Sequence, residues 1–323
     1  MISLVACGGD EDVEPRLLPG SPDATRALGF TASGRPVAIG GTSTFGLAYL
    51  QHQDGDIWVR AAVVPGFGAR AQLIGGGTSV PLLALSDTTL YRIVDEAAMT
   101  WDAITIPLGA SSGTVFGTDA TGLVYALDLS GGDGNGAVVT WMPGDALWAE
   151  LAGTRPMGAA AKQFIVEPSG RVTWFVPGQG IVRAASGTQA TIVDCHDVSD
   201  CTVPLTSLSY DDGGALTFLV CPREAPPRFA LRLADGDTVA QELPLPSDIT
   251  VCVGLDTAPD GTSLLAGVGD TGDGPLALLP ARATTWTRVA AASSSLTYVL
   301  RDRRTAFAHG DAQAVRGIYQ LDF

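Results

Sequence analysis

Cysteine and histidine are the residues here with reactive side chains in a suggestive arrangement, five and three of them respectively. Cys195 and Cys201 bracket His196, and Cys221 and Cys252 follow at longer intervals. Two chemistries suit such a set: disulfide bonds, or a metal held by thiolate and imidazole. The run from Cys195 through His196 to Cys201 lacks the usual spacing of zinc ligands. An even set would favour disulfides if the chain is exported, and four cysteines allow three connectivities. Closeness along the chain suggests Cys195–Cys201, and adjacency of repeat units suggests Cys221–Cys252. Cys201–Cys221 is the rival for one bridge.

Other chemistry is sparse. No metalloprotease helix motif, nucleophile elbow or phosphate-cradling glycine loop is present. His52 is expected in a short, solvated turn, and His309 at the end of a strand. Arg70, Arg155, Arg223, Arg228 and Arg316 fall in the longer connections, where they could converge on a central funnel. A carboxylate pair for glycoside hydrolysis cannot be picked by spacing when its members come from different repeat units. Two acidic, glycine-rich stretches, Asp128–Gly136 and Gly269–Gly274, have a faint likeness to calcium loops. Calcium wants six to eight oxygens, and the hairpin-turn reading is preferred. No cofactor and no catalytic residue is therefore assigned, with calcium the one ion left open.

What must position these residues is visible in the punctuation. Turn signals recur along the chain at Thr31–Gly34, Gly77–Ser79, Asp119–Gly122, Glu167–Gly170, Asp211–Gly214, Ala258–Gly261 and Arg301–Arg304. Their period of about 45 residues lies in the range of propeller blades. Within such turns proline fixes φ, aspartate caps, and glycine takes positive φ. Each turn is followed by an apolar run such as Val80–Leu85, Val172–Val176 or Ser263–Val268, then by third and fourth runs. Short strands at even spacing argue for a propeller over a sandwich, and nothing long keeps a helical period. The expected architecture is all-β: a single propeller, most simply of seven four-stranded blades. The last unit holds only three runs, ending at Phe323. Its missing strand is expected from Val13–Leu18, so residues 13–323 form the ring and 1–12 a tether.

Charge narrows the partners. The net charge is −15, and Lys162 is the single lysine among 19 basic residues. Such a surface repels phosphate backbones and anionic headgroups, so nucleic acid is excluded as a natural partner. No apolar run is long enough to span a membrane as a helix.

Trp58, Trp101, Trp148 and Trp286 all stand near the start of a fourth run. In this they resemble the aromatic of sialidase-type and kelch-type blades, although Gln53–Trp58 is a poor echo of the sialidase Asp box. The resemblance covers architecture and implies packing between blades, each ring covering a neighbour's apolar face. Leu4–Cys7 resembles the bacterial lipobox, followed by an acidic tether from Gly8 to Glu14. That resemblance implies a lipid on Cys7, and Gly8 after it implies the outer membrane. Only six residues precede Cys7, fewer than a signal peptide needs, so the encoded protein is expected to begin further upstream.

The functional expectation is a monomeric, lipid-anchored envelope propeller, facing periplasm or cell surface, that binds or scaffolds a protein or glycan without catalysis. The loops joining fourth to first and second to third strands would carry the site. Arg155, His196, Arg223, Arg228, His309 and Arg316 are its candidate residues. The alternative is an extracellular glycan- or lactone-processing hydrolase or lyase with its site in the central funnel.

Overall fold

The structure, a computed structural model, describes residues 13–22, 24–41, 48–61, 71–108, 114–128, 136–155, 157, 161–185, 187–194, 207–220, 229–237, 239–269, 274–292, 296–312 and 315–323. Among these, the chain forms 28 strands in seven antiparallel sheets of four. An N-terminal strand, β1 (Arg16–Leu17), precedes blade 1, which comprises β2 (Ala24–Phe30), β3 (Pro36–Gly41), β4 (Ala48–Asp54) and β5 (Ile57–Arg60). Blade 2 is β6 (Gln72–Ile74), β7 (Leu83–Ser86), β8 (Thr89–Asp95) and β9 (Thr100–Thr105). Blade 3 is β10 (Val115–Thr118), β11 (Val124–Asp128), β12 (Ala137–Trp141) and β13 (Ala149–Glu150). Blade 4 is β14 (Lys162–Val166), β15 (Val172–Val176), β16 (Gly180–Ala185) and β17 (Thr188–Asp194). Blade 5 is β18 (Ser207–Tyr210), β19 (Leu216–Val220), β20 (Phe229–Leu233) and β21 (Gln241–Pro244). Blade 6 is β22 (Val251–Thr257), β23 (Ser263–Val268), β24 (Gly274–Leu279) and β25 (Thr287–Ala292). Blade 7 is β26 (Leu296–Asp302), β27 (Thr305–Ala312) and β28 (Val315–Asp322), completed by β1.

The first strands of successive blades touch all the way round, β26 meeting β2, so the sheets close into a ring about a central channel. This is a seven-bladed β-propeller. Second and third strands are covered on both sides by neighbouring blades, which is why β3, β7, β15, β19 and β24 are buried at every position. They therefore read as continuous apolar runs and not as alternating ones. Outer strands such as β9 and β21 are mostly exposed and polar, which blunts their free edges.

The core is divided among the seams. Seven apolar clusters each draw from two adjacent blades, one per seam. The tryptophans sit as the repeat implied: Trp58 joins the seam of blades 7 and 1, Trp101 that of 1 and 2, Trp148 that of 2 and 3, and Trp286 that of 5 and 6.

Closure uses the N-terminal strand. Arg16 pairs with Gln320 and Leu17 with Tyr319, and the Leu18 amide donates to the Ile318 carbonyl at 3.0 Å. Leu18 is only 1% exposed, packed with Phe30, Trp58, Phe307 and Ile318. The strand is shorter than the expected Val13–Leu18, and burial of Leu18 carries much of the grip. Other bounds also differ. The second strand of blade 2 begins at Leu83, after a longer connection than Val80–Leu85 implied. His52 lies within β4, opposite Val37 and Val59, and not in a turn.

Candidate functional site

The ring has two faces. One carries the first-to-second and third-to-fourth connections and is called the turn face. The other carries the remaining connections and is called the loop face.

The central channel holds a cavity of about 250 Å³ near the turn face. Blades 5 and 6 give it a polar wall of Ser209, Tyr210, Asp212, Asp256 and Thr257. Leu28, Phe30, Val80, Ile165 and Val299, from blades 1, 2, 4 and 7, supply apolar lining. No lysine or arginine lines it among the described residues. The register explains the placement. Gly29, Ile165, Ser209, Asp256 and Val299 each precede their blade's turn by two residues, and all five line the cavity. Adjacent first strands are stitched by side chains: Ser209 to Thr257 at 2.7 Å, and Asp256 Oδ2 accepting from the Leu300 amide at 2.8 Å. Protein surrounds Asp256 closely enough that burial lifts its pKa to about 6, against the opposing pull of the Leu300 and Thr257 amides. Burial likewise pushes the Tyr210 phenol up to about 12, aided by the charges of Asp212, Glu167 and Asp256. At neutral pH this wall therefore offers a carboxylate acceptor beside a protonated phenol.

A second concavity, about 420 Å³, lies on the turn face where blades 1, 2 and 3 meet. Its floor is Pro81, Leu82, Leu83, Ile93 and Pro143. Val94 and Met142 line it while remaining 58% and 38% exposed. Leu147, on the same connection as Met142, is 77% exposed. The rim is polar and ordered. Glu96 accepts from the Thr31 and Ser33 hydroxyls, and Arg92 pairs with Asp102 at 3.3 Å.

The sequence-predicted residues are scattered by comparison. Arg155 stands on the loop face, tied to Asp128 and Glu150 at 3.2 Å each. Arg316 is an exposed residue of β28, paired through the backbone with Asp311. His309 lies within β27, between Thr297 and Ile318, and burial lowers its pKa. The segment Gly310–Arg316, expected as a loop, is mostly hairpin strand. Neither Arg155 nor Arg316 lines the central cavity, so the expected convergence on the funnel does not occur for them. Cys7, Arg70, Cys195, His196, Cys201, Cys221, Arg223 and Arg228 lie outside the described residues. Cys252 is half-buried on β22. Of the two acidic loops, 129–135 and 270–273 are also outside them, and Asp128 is engaged by Arg155. Among the described residues, no three His, Cys, Asp or Glu side chains gather as metal ligands would, and no helix is long and apolar enough to cross a membrane.

Two arginines flank a buried carboxylate away from the cavity. Glu167 is fully buried between Arg171 at 2.5 Å and Arg183 at 2.8 Å, with Thr173 donating at 3.0 Å. Burial raises the Glu167 pKa even against both guanidiniums. Arg171 continues to Asp235 of blade 5 at 2.5 Å, which makes the cluster a seam between blades 4 and 5.

No protein-family model matches the sequence, and no curated protein matches it. Solved structures do. The chain is similar to virginiamycin B lyase from Staphylococcus aureus, at 11% identity and TM-score 0.63, over 96% of this chain and 99% of that one. It is similar to an oligogalacturonate lyase from Vibrio parahaemolyticus, at 11% identity and TM-score 0.64, over 97% and 92%. It is also similar to YCF48 bound to a D1 peptide, at 15% identity and TM-score 0.60, over 99% and 97%. At such identities the likeness is one of fold, shared by lyases and by a peptide-binding protein.

Proposed function

We propose that this propeller is a non-catalytic binding module of the bacterial cell envelope, anchored in the outer membrane through lipid on Cys7, and that it docks a protein partner. The observation that carries the reading is the turn-face groove, where Val94 and Met142 stay open to solvent above an apolar floor. A contiguous apolar surface with a polar, hydrogen-bonded rim is the make-up of a protein-binding patch. That YCF48, of similar fold, is found with a peptide supports the architecture's fitness for the task. The loop face, with Arg155 and Arg316, belongs to the proposal as a second contact surface, and His196, Arg223 and Arg228 are proposed to contribute to it. Cys221 follows the last residue of β19 and Cys252 is second in β22, on neighbouring blades that touch. The contact between β19 and β22 supports the Cys221–Cys252 pairing, and Cys195–Cys201 is proposed with it.

The test is site-specific photocrosslinking from position 94 in intact cells. A discrete adduct that disappears with Met142→Glu is expected. Absence of any adduct, or one indifferent to Met142→Glu, contradicts docking in the groove. Metabolic lipid labelling of the upstream-extended protein, lost in Cys7→Ala, checks the anchor, and mass spectrometry without reduction checks the bridges.

One observation favours the enzymatic alternative: Asp256, with a pKa near 6, borders a cavity beside the Tyr210 phenol. A carboxylate so poised can exchange protons near neutral pH. Turnover of a glycan or lactone that is lost in Asp256→Asn would establish that reading in place of the first.

A further inference from the structure

Five blades join their first and second strands by a compact turn, closed by backbone hydrogen bonds such as Gly34 to Thr31 at 2.9 Å and Gly214 to Asp211 at 3.0 Å. Blade 2 departs from this. Its connection runs over residues 75–82, and Gly75, Gly76 and Gly77 all have positive φ, of 66°, 103° and 93°. Only glycine holds that conformation three times in succession. Side chains are also sterically barred. A Cβ at Gly75 would lie 2.4 Å from the Pro81 carbonyl oxygen, and one at Gly76 2.7 Å from that of Phe30.

The segment is pinned by the Gly77 amide donating to Phe30 at 3.0 Å, and then it crosses the channel. Thr78 Oγ1 donates to Asp212 Oδ2 at 2.7 Å. Asp212 belongs to the first turn of blade 5, and in a ring of seven no blade is further from blade 2. The bond therefore spans the axis. Asp212 is held in turn by its own amide, which donates to Pro259 of blade 6 at 3.1 Å. Residues 75–78 are a strap over the turn-face side of the channel, and the cavity lies against it.

We propose that this strapped cavity is a binding site for a small, uncharged, hydroxyl-rich ring, a single sugar unit in size and chemistry. This goes beyond the groove reading, from which it is independent, and it requires no catalysis. Four features select the ligand. Two carboxylates and no basic side chain among the described lining residues repel anions, as does the net charge of −15. Asp256, Tyr210 and Ser209 offer acceptors and donors along one wall, where hydroxyl-to-carboxylate bonds are the strong, charge-assisted kind. Leu28, Ile165 and Val299 offer the apolar surface that the C–H face of a sugar ring needs. The volume of about 250 Å³ falls below the range of about 300–1,000 Å³ usual for larger ligands. The strap sets both size and rate: with Thr78 bonded to Asp212, residues 75–78 lie across the turn-face side and narrow passage there.

Saturation-transfer NMR and titration with the methyl glycosides of glucose, galactose, mannose and N-acetylglucosamine, beside galacturonate, test it on the whole chain. Binding of at least one neutral glycoside, with galacturonate at least about tenfold weaker, is expected. Asp256→Asn, which keeps an oxygen for the Leu300 amide, should weaken binding about tenfold, and Tyr210→Phe should weaken it as well. Thr78→Val should raise association and dissociation rates together with little change in affinity. Failure of every neutral glycoside, or binding of galacturonate at equal strength, overturns the proposal. Unchanged affinity in both Asp256→Asn and Tyr210→Phe, with the fold verified by circular dichroism, places any binding elsewhere and overturns it equally.

Discussion

Replacing Asp256 by Asn should make the protein more stable at pH 8, although it removes a charge that two backbone amides solvate. The carboxyl is raised from 3.8 to about 6 on folding, because burial penalises its ionised form more than the Leu300 and Thr257 amides reward it. A shift of about two units, at 1.36 kcal/mol each, means that ionised Asp256 destabilises the folded state by about 3 kcal/mol above pH 6. A folded-state pKa above the unfolded one makes the fold gain stability from this group as pH falls through about 6 towards 3.8. Asn cannot ionise, so the variant escapes the penalty at every pH. Urea unfolding of both proteins at pH 8, 6 and 4 reads the difference. It should be about 3 kcal/mol in favour of Asp256→Asn at pH 8 and shrink towards zero by pH 4. His309, whose pKa burial lowers, acts in the opposite direction on acidification, and it cancels when the two proteins are compared. A variant less stable than the parent at pH 8, or a difference that ignores pH, refutes the assignment of Asp256 to a desolvated wall.

Other seams give simpler expectations. Trp58→Ala empties the junction of blades 7 and 1 and should cost about 3–5 kcal/mol in urea unfolding. Trp58→Phe should cost much less, since the indole N–H is buried with no hydrogen-bond partner among the described residues. Arg183→Met strips the fully buried Glu167 carboxylate of one of its two guanidiniums, and a loss of about 3–5 kcal/mol is expected by the same assay. Arg16→Ala removes a pair with Asp56 whose partners are 51% and 78% exposed, so the melting temperature should barely move at physiological salt.

The ring was legible in the sequence because its signals are local. Turns such as Glu167–Gly170 need particular φ angles, and buried second strands such as Val172–Val176 need unbroken apolar runs, so both leave marks at fixed spacing. The tryptophans were legible for the same reason. The cavity was not, because its lining comes from one residue per unit, and each is ordinary in its own strand. Comparing the residue two before each turn would have exposed it: only Asp256 is charged among Gly29, Ile165, Ser209, Asp256 and Val299. The irregular second turn, Gly77–Ser79, was visible as an oddity, but its partner Asp212 lies across the ring and far along the chain. The expected arginine site failed similarly. Arg155 is answered by Asp128 and Glu150, acids that no spacing rule brings to it.

Everything placed on the two faces depends on how the circle of blades is fastened. The direct measurement is thermal unfolding of a chain beginning at Ser21 against one beginning at Val13. Removing β1 takes away its pairing with β28 and the buried Leu18 side chain, worth about 2–5 kcal/mol alone. A sharply lowered or broadened transition in the shorter chain is the predicted result. Superimposable melting curves would mean that blade 7 needs no fourth strand, and the closure described here would be contradicted.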